Sequence, residues 1–387
     1  MLRSYKTQLD PNNCQRTLLR KHAGTARYAW NWALARVKNK ESKPNAMQLH
    51  KEWNAWKKQN IPWWVEVSKA APQESFRNLQ QAFKNFFERR KDGVGFPKFK
   101  KKMAGCSGSF RLTGSICVES RRIKLPRLGW LRLKEAGYLP LDAHVLSATL
   151  SERAGRWFVS LSVQEEYEMP HNGSDKVVGI DVGVKTLATC SDGTTFENPK
   201  ALISKKRQLG RLQRRHSRQK KGSNRREKTR QRIARLHYRI SNIRRDAIHK
   251  ATSWVVKTKR SGTVVLEDLS VSGMLKNHKL ARAVADASVS EFRRQIEYKA
   301  DWNGVNVELA DRWFPSSKLC SECGCIKDDL KLSDRTYHCD GCGLSIDRDL
   351  NAAINLERYH TVSSTGIDAQ GEGRLQGGVA AQCPSMN

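Results

Sequence analysis

Two cysteine pairs at fixed spacing constrain this chain more than any other feature. Cys320-Ser321-Glu322-Cys323 is followed by fifteen residues and then Cys339-Asp340-Gly341-Cys342. Four thiolates at about 2.3 Å close a tetrahedral Zn²⁺ site that is structural, with no open position for chemistry. Gly324 and Gly343 follow the pairs, where tight knuckles need them. The spacing predicts one structural Zn²⁺ on Cys320, Cys323, Cys339 and Cys342; Cys325 and His338 are less well spaced. Cys14, Cys106, Cys117, Cys190 and Cys383 read as plain thiols, and the pattern suits a reducing compartment rather than a disulfide framework. Such a module occupies a small part of 387 residues, a length that suggests two or three domains.

What surrounds the module is basic. There are 71 Lys+Arg against 38 Asp+Glu, a formal charge of +33, which repels itself unless an anionic partner is bound. The densest block runs from residue 201 to 250, where Glu227 and Asp246 are the only acids. Within it Ile233, Leu236, Ile240, Ile243 and Ala247 recur at helical spacing, and Leu209 and Leu212 begin a shorter stripe. Lys221-Gly222-Ser223-Asn224 breaks the two, which predicts a helical hairpin with one packed stripe and a cationic remainder. Such a surface binds phosphates by counterion release, without choosing between DNA and RNA. Hydrophobic residues at 38% are enough for packed cores. No apolar run approaches the ~20 residues of a membrane span, and Met1–Lys6 has no signal-peptide core. The expected setting is the cytoplasm, in association with nucleic acid.

Along the chain the periodicity changes twice. Leu2–Leu9 reads as a lone strand, 12–38 as a helix, and Ala71–Arg90 as an amphipathic helix with Phe76, Leu79, Phe83, Phe86 and Phe87 on one face. Lys98, Lys100, Lys101 and Lys102 form a second phosphate-facing candidate. From Phe110 to Val163 period two takes over, with turns at Gly129 and Gly155. This predicts a small barrel or sandwich whose first strand is supplied by Leu2–Leu9 and into which the helices are inserted. Glu165–Ser174 reads as a linker. From Lys176 strands and helices alternate, an α/β or RNase-H-like pattern, and the Gly-, Ser- and Gln-rich end from about Thr361 reads as disordered.

Three acids stand where such a fold gathers chemistry. Asp181 closes the strand Val177–Ile180, Glu267 closes Thr263–Leu266, and Asp347-Arg348-Asp349 opens the helix that begins at Leu350. Two-metal phosphoryl hydrolysis needs carboxylates converging on two Mg²⁺ ions about 3.5–4 Å apart, and Mg²⁺ takes oxygen ligands while keeping several waters. Asp181, Glu267 and Asp349 are the expected catalytic and Mg²⁺-binding residues, with Asp347 a neighbour or a helix cap.

Taken together, Gly179-Ile180-Asp181-Val182-Gly183, Leu266-Glu267-Asp268-Leu269, Phe314-Pro315-Ser316-Ser317-Lys318-Leu319-Cys320 with its CxxC pairs, and Asp347-Arg348-Asp349-Leu350-Asn351-Ala352-Ala353 resemble TnpB, a family of transposon-encoded relatives of the type V CRISPR effectors. Gly95-Phe96-Pro97-Lys98-Phe99-Lys100 also fits, and the resemblance runs from the first strand to about Tyr359. It implies a multidomain α/β protein of prokaryotic origin. An oligonucleotide-binding-like β-barrel (WED) domain would cover 1–10 and 97–170, and a helical recognition (REC) domain 11–96. A RuvC-like nuclease domain would cover 171–318 and 343–360, interrupted by a zinc ribbon at 319–342 and followed by a disordered tail at 361–387. The implied activity is Mg²⁺-dependent, RNA-guided DNA cleavage. A transposon-end-derived guide RNA, one protein per RNA, would pair with double-stranded target DNA beside a short flanking motif, and a single site would cut both strands. Lys69 and Gln73 fall on positions implicated in reading that motif, although Ala70 and Pro72 around them depart from the family pattern.

Two other readings use parts of the same pattern. A nuclease-inactive, RNA-guided DNA-binding repressor would keep the cationic surface and lose the acids. A transposase performing DNA strand transfer would keep the acids and bring two DNA ends together.

Overall fold

The computed structural model describes residues 2–101, 108–166, 170, 172–259, 261–278, 280–331 and 333–364. Lys102, Cys106, Cys383 and residues 365–387 of the tail expected from Thr361 lie outside the described residues; 361–364, expected to be disordered, instead continue the last helix. The chain divides into two compact units, residues 1–167 with 209–238, and 168–208 with 239–387.

In chain order the first unit holds β1 (Leu2–Gln8), α1 (Asn13–Lys38), α2 (Ala46–Asn60), a 3₁₀ turn (Pro62–Glu66), α3 (Ala70–Glu88), β2 (Ser109–Leu112), β3 (Cys117–Val118), β4 (Arg122–Leu125), β5 (Gly129–Arg132), β6 (His144–Arg153) and β7 (Arg156–Gln164). The N-terminal strand joins the later strands, as expected: β1 pairs antiparallel with β7 from Leu2↔Gln164 to Gln8↔Phe158. It forms one edge of a four-stranded sheet, β1-β7-β6-β2, beside a three-stranded sheet, β3-β4-β5. A bridge between Leu9 and Leu133 joins the two. Alternate side chains point inward, so Phe110, Leu112, Ile123, Leu131, Leu150, Val159 and Leu161 share one core. The β6–β7 hairpin closes on Ala154 and Gly155, both at positive φ (53° and 74°), the conformation a two-residue hairpin turn needs to follow the strand twist.

The helices build a second core. Asn12 opens α1 with a capping box, its side chain accepting from Gln15 N while Gln15 Oε1 accepts from Asn12 N. Trp30, Leu34, Leu49, Trp53, Phe76, Leu79 and Phe83 interlock between α1, α2 and α3. The expected aromatic face of α3 stops there. Phe87 is 67% exposed, because the last turn of the helix runs past the core that ends at Phe83.

The second unit begins with β8 (Val177–Asp181), β9 (Thr186–Cys190) and β10 (Thr195–Glu197). Helices α4 (Ala201–Arg218) and α5 (Asn224–Ser253) follow, broken at 219–223, and α5 runs into a π-helical turn at Trp254–Thr258. Then come β11 (Thr263–Glu267), α6 (Val271–Lys276), α7 (Ala281–Ala287), α8 (Val289–Asp301), β12 (Asn306–Ala310), β13 (Thr336–His338), β14 (Ser345–Asp347) and α9 (Arg348–Ser364). Residues 209–238 of the hairpin pack with the first unit, where Phe158 and Arg156 lie against the Tyr238 ring. The sequence pattern placed the whole hairpin with the α/β region.

One mixed sheet, β10-β9-β8-β11-β12, organises this unit. β8, β9 and β10 form an antiparallel meander, and β11 and β12 run parallel to β8 and β11 respectively. Both faces are covered, which is why the central strands are nearly continuous in apolar residues. Val178, Ile180, Val264 and Leu266 meet Ile248, Ala251, Val255, Phe292 and Ile296. On the other face Val265 and Ala310 meet Leu356 of α9. That helix lies hard against β8. A Cβ at Gly179 would stand 2.0 Å from Ala353 O and 2.4 Å from Glu357 N, so only glycine permits the approach.

Candidate functional site

The site grows from strand register. β11 pairs with β8 so that Leu266 faces Ile180, which sets the next residues, Glu267 and Asp181, at the same end of neighbouring parallel strands. The N-terminus of α9 arrives at that end because Gly179 lets the helix lie on β8. Asp347 Oδ1 accepts from Asp349 N (2.9 Å) and Leu350 N (3.2 Å), which makes Asp347 the N-cap. The Asp349 side chain is 15% exposed and meets Arg348 Nη2 at 3.3 Å. Burial, then the negative charges of Glu267 and Asp349, hold the Asp181 carboxyl well above the usual carboxylate range.

The adjacent acids Glu267 and Asp268 occupy opposite environments. Burial pushes Glu267 up, moderated by the Ser316 hydroxyl that donates to its Oε1. Asp268 is turned outward and held below the ordinary carboxylate range by Arg293 and Arg312, at 2.8 and 2.5 Å. A half-buried, electron-rich group of oxygen donors with Arg348 as a neighbouring cation fits a hard divalent ion in its chemistry. Among the described residues, however, the three carboxylates do not gather as tightly as the four sulfurs below.

Cys320, Cys323, Cys339 and Cys342 come together with their sulfur atoms all within 4.8 Å of one another. Cys320 and Cys342 are 3.6 Å apart and Cys323 and Cys339 3.4 Å, close to the ~3.8 Å edge of a tetrahedron with Zn–S bonds of about 2.3 Å. Gly324 N donates to Cys320 O and Gly343 N to Cys339 O at 3.1 and 3.0 Å. Both glycines sit at positive φ, 74° and 75°, as the knuckles require. The donor set fits Zn²⁺. The second knuckle continues through Leu344, whose carbonyl accepts from Cys339 N at 2.8 Å, so the module extends beyond the expected end at 342. Cys325 is buried beside Tyr337 and His338 is exposed, both outside the four-sulfur group. Burial pushes the Cys190 thiol up to about 12, which leaves it inert.

Lys69 and Gln73 line one cavity of the first unit, of about 760 Å³. Trp53, Trp63 and Trp64 supply aromatic walls, and Lys57, Lys124 and Arg127 further cations; among the described residues no carboxylate lines it. Behind it, buried His22 joins two segments: its ring lies 2.8 Å from Leu18 O through Nδ1, and Nε2 accepts from Ser68 N at 3.0 Å. Burial lowers the His22 pKa, so the neutral ring anchors the residue preceding Lys69. Lys100, expected to face phosphate, has its ammonium 3.7 Å from the centre of the Trp30 ring.

The α4–α5 hairpin keeps its cationic character. Its ion pairs include Glu227 with Arg230, Asp246 with Lys250, and Asp286 with Arg244. Asp286 is buried and also accepts from Leu202 N at 3.1 Å, tying the start of α4 to α5. Sequence reasoning assigned no role to Ser316, Arg312, Asp286 or His22. Ser316 lay in a motif already singled out, and its position beside an acid three-dimensionally was the missing information.

A family model described as a probable transposase matches residues 158–278, one described as a Cas12f1-like TNB domain matches 290–356, and a helix-turn-helix domain model matches 1–41. The last match falls on β1 and α1, a strand and one long helix. A Streptomyces pristinaespiralis protein named "Putative RNA-guided DNA endonuclease" is 36% identical, covering 92% of this chain and 88% of its own. A protein of Escherichia coli K12 with the same description, InsQ, is 34% identical over 94% of both chains. The solved structure of the mini-RNA-guided endonuclease CRISPR-Cas_phi3 superposes with a TM-score of 0.53 at 8% identity, covering 93% of this chain and 92% of that one, a likeness of mixed α/β fold.

Proposed function

We propose, on the premise that this chain belongs to the TnpB family, that it is an RNA-guided DNA endonuclease that cuts both strands of its target at one carboxylate site. The observation that carries the reading is the convergence of Asp181, Glu267 and Asp349 on one end of the sheet, where burial and then the neighbouring negative charges hold the Asp181 pKa well up. Asp181, Glu267 and Asp349 would hold two Mg²⁺ ions, which when bound supply charge neutralisation at a phosphate undergoing in-line displacement. The chain's own part is positional. Strand register places Asp181 beside Glu267, the Ser316 hydroxyl holds Glu267, and the Asp347 cap holds the helix start that presents Asp349. Arg293 and Arg312 turn Asp268 away from the cluster.

In this reading the two sheets of the first unit form the β-barrel (WED) domain with the helical recognition domain inserted after its first strand. The strand order of the second unit supports an RNase-H-like, RuvC-type nuclease domain carrying a zinc ribbon on Cys320, Cys323, Cys339 and Cys342. The cationic α4–α5 surface suits the phosphates of a guide RNA. The cavity holding Lys69 and Gln73 suits the flanking motif, since cations beside aromatic faces hold both backbone and base. Among the described residues no helix is long and apolar enough to cross a membrane.

The test is co-expression with the flanking transposon sequence, sequencing of the RNA that co-purifies, and incubation with a plasmid matching the RNA end beside a randomised flank and Mg²⁺. Cutting at matched sites with one enriched flank, abolished by Asp181→Ala, is expected. RNA-dependent binding without cutting would favour a repressor, and joining of DNA ends a transposase.

A further inference from the structure

Ser316 does more than touch Glu267. It is 3% exposed, and its carbonyl accepts from Asn355 Nδ2 at 2.8 Å. The same amide reaches Leu319 O at 2.7 Å, and Asn351 Nδ2 reaches that carbonyl at 2.7 Å. Asn351 Oδ1 then accepts from the backbone N–H of Ser321, between the first two cysteines, at 2.9 Å. Asn351 and Asn355 lie one turn apart on α9, 0% and 2% exposed, and Asn351 follows Asp349 by two residues. A single buried polar seam therefore runs from the first cysteine knuckle, through two asparagines of the helix that presents Asp349, to the carboxylate of Glu267.

Buried amides are costly unless satisfied. Here they answer the carbonyls of an irregular segment that no sheet or helix supplies with donors. If fastening α9 to this segment were the whole purpose, the seam could end at the Ser316 carbonyl. It continues through the side chain to Glu267 Oε1, a bond that fixes the orientation of a candidate ligand. Hydrogen bonds from outside a metal site to its ligands do this work generally.

We propose that Ser316 is a positioning residue for Glu267, and that Asn351 and Asn355 make the cysteine module and the carboxylate cluster one mechanical unit, so that zinc loading sets the affinity of the carboxylates for divalent cations. This rests on the reading of Asp181, Glu267 and Asp349 as a cation site.

The test uses full-length protein and Mn²⁺ as the probe, its binding followed by electron paramagnetic resonance and its zinc content by elemental analysis, with no cleavage step. Ser316→Ala should weaken the Asp181-dependent Mn²⁺ binding by about 10–100-fold while retaining zinc and the melting temperature. Ser316→Thr, which keeps the hydroxyl, should restore it. Stripping zinc from the unsubstituted protein should weaken Mn²⁺ binding comparably, and stripping it from Ser316→Ala should add little, the signature of one shared path. Unchanged Mn²⁺ affinity in Ser316→Ala, no restoration by threonine, or independent, additive losses would overturn the proposal while leaving the cation site standing. If the unsubstituted protein binds no Mn²⁺ that Asp181→Ala removes, the reading of the carboxylate site falls, and this proposal with it.

Discussion

The cavity around Lys69 and the carboxylate cluster around Asp181 are built to opposite rules. The cavity sets Lys57, Lys69, Lys124 and Arg127 among tryptophans, and these cations come from α2, the start of α3, β4 and the turn after it. Long, jointed side chains can follow a phosphate backbone, so attraction survives small errors of placement. The cluster instead places short acids at strand ends and a helix start, locked by parallel register, a glycine contact and an N-cap. Recognition of a polyanion can be distributed over mobile groups, whereas hydrolysis needs donors held to a fraction of an ångström.

Several substitutions would break or sharpen that contrast. Glu267→Gln should lower plasmid cutting on the order of 10³-fold, ~4 kcal/mol of transition-state stabilisation, while gel-shift affinity for guide-matched DNA stays within a factor of two to three of the unsubstituted protein (about 0.5 kcal/mol). Next come two glycines. Gly179→Ala drives a Cβ into the backbone of α9 and should cost roughly 4 kcal/mol or more, seen as a collapsed melting transition or insoluble protein. Gly129→Ala, beside the cavity, meets no atom within 4 Å but keeps φ at 68°, so its expected cost is the ~1–2 kcal/mol of left-handed strain. Equal losses at both positions would erase the distinction between a close-packed carboxylate scaffold and an open cavity wall.

Lys69→Ala and Gln73→Ala should each weaken target binding about tenfold, within the ~1–3 kcal/mol of a specific base contact. The enriched flank should change, and the cutting rate at saturating DNA should not. The smallest effect is one of pH. Burial lowers the His22 pKa in the folded chain, so the unfolded chain takes up the proton first. The anchoring of Ser68 is present in full above the unfolded value of about 6.5 and weakens as pH falls below it. Thermal melts should show stability falling between pH 7.5 and 5, by less in His22→Gln than in the unsubstituted protein.

Much of this molecule was written in local spacing. The four cysteines, a hairpin break around Gly222, the strands ending in Asp181 and Glu267 and a helix starting within two residues of Leu350 were legible because each depends on residues within a turn or a strand of one another. Local spacing says which residues can share a face, and it overreached at Phe87, where the face continues and the core does not. The roles of paired acids were decided elsewhere. Glu267 is half-buried against Ser316 while Asp268 is paired with Arg293 and Arg312, all from distant segments, and Asp347 caps a helix whose place on the sheet depends on Gly179. Only the tertiary structure brought Ser316 to Glu267 and Asn351 to the cysteine knuckle, because burial and partnership are set by chain segments that the sequence keeps tens of residues apart.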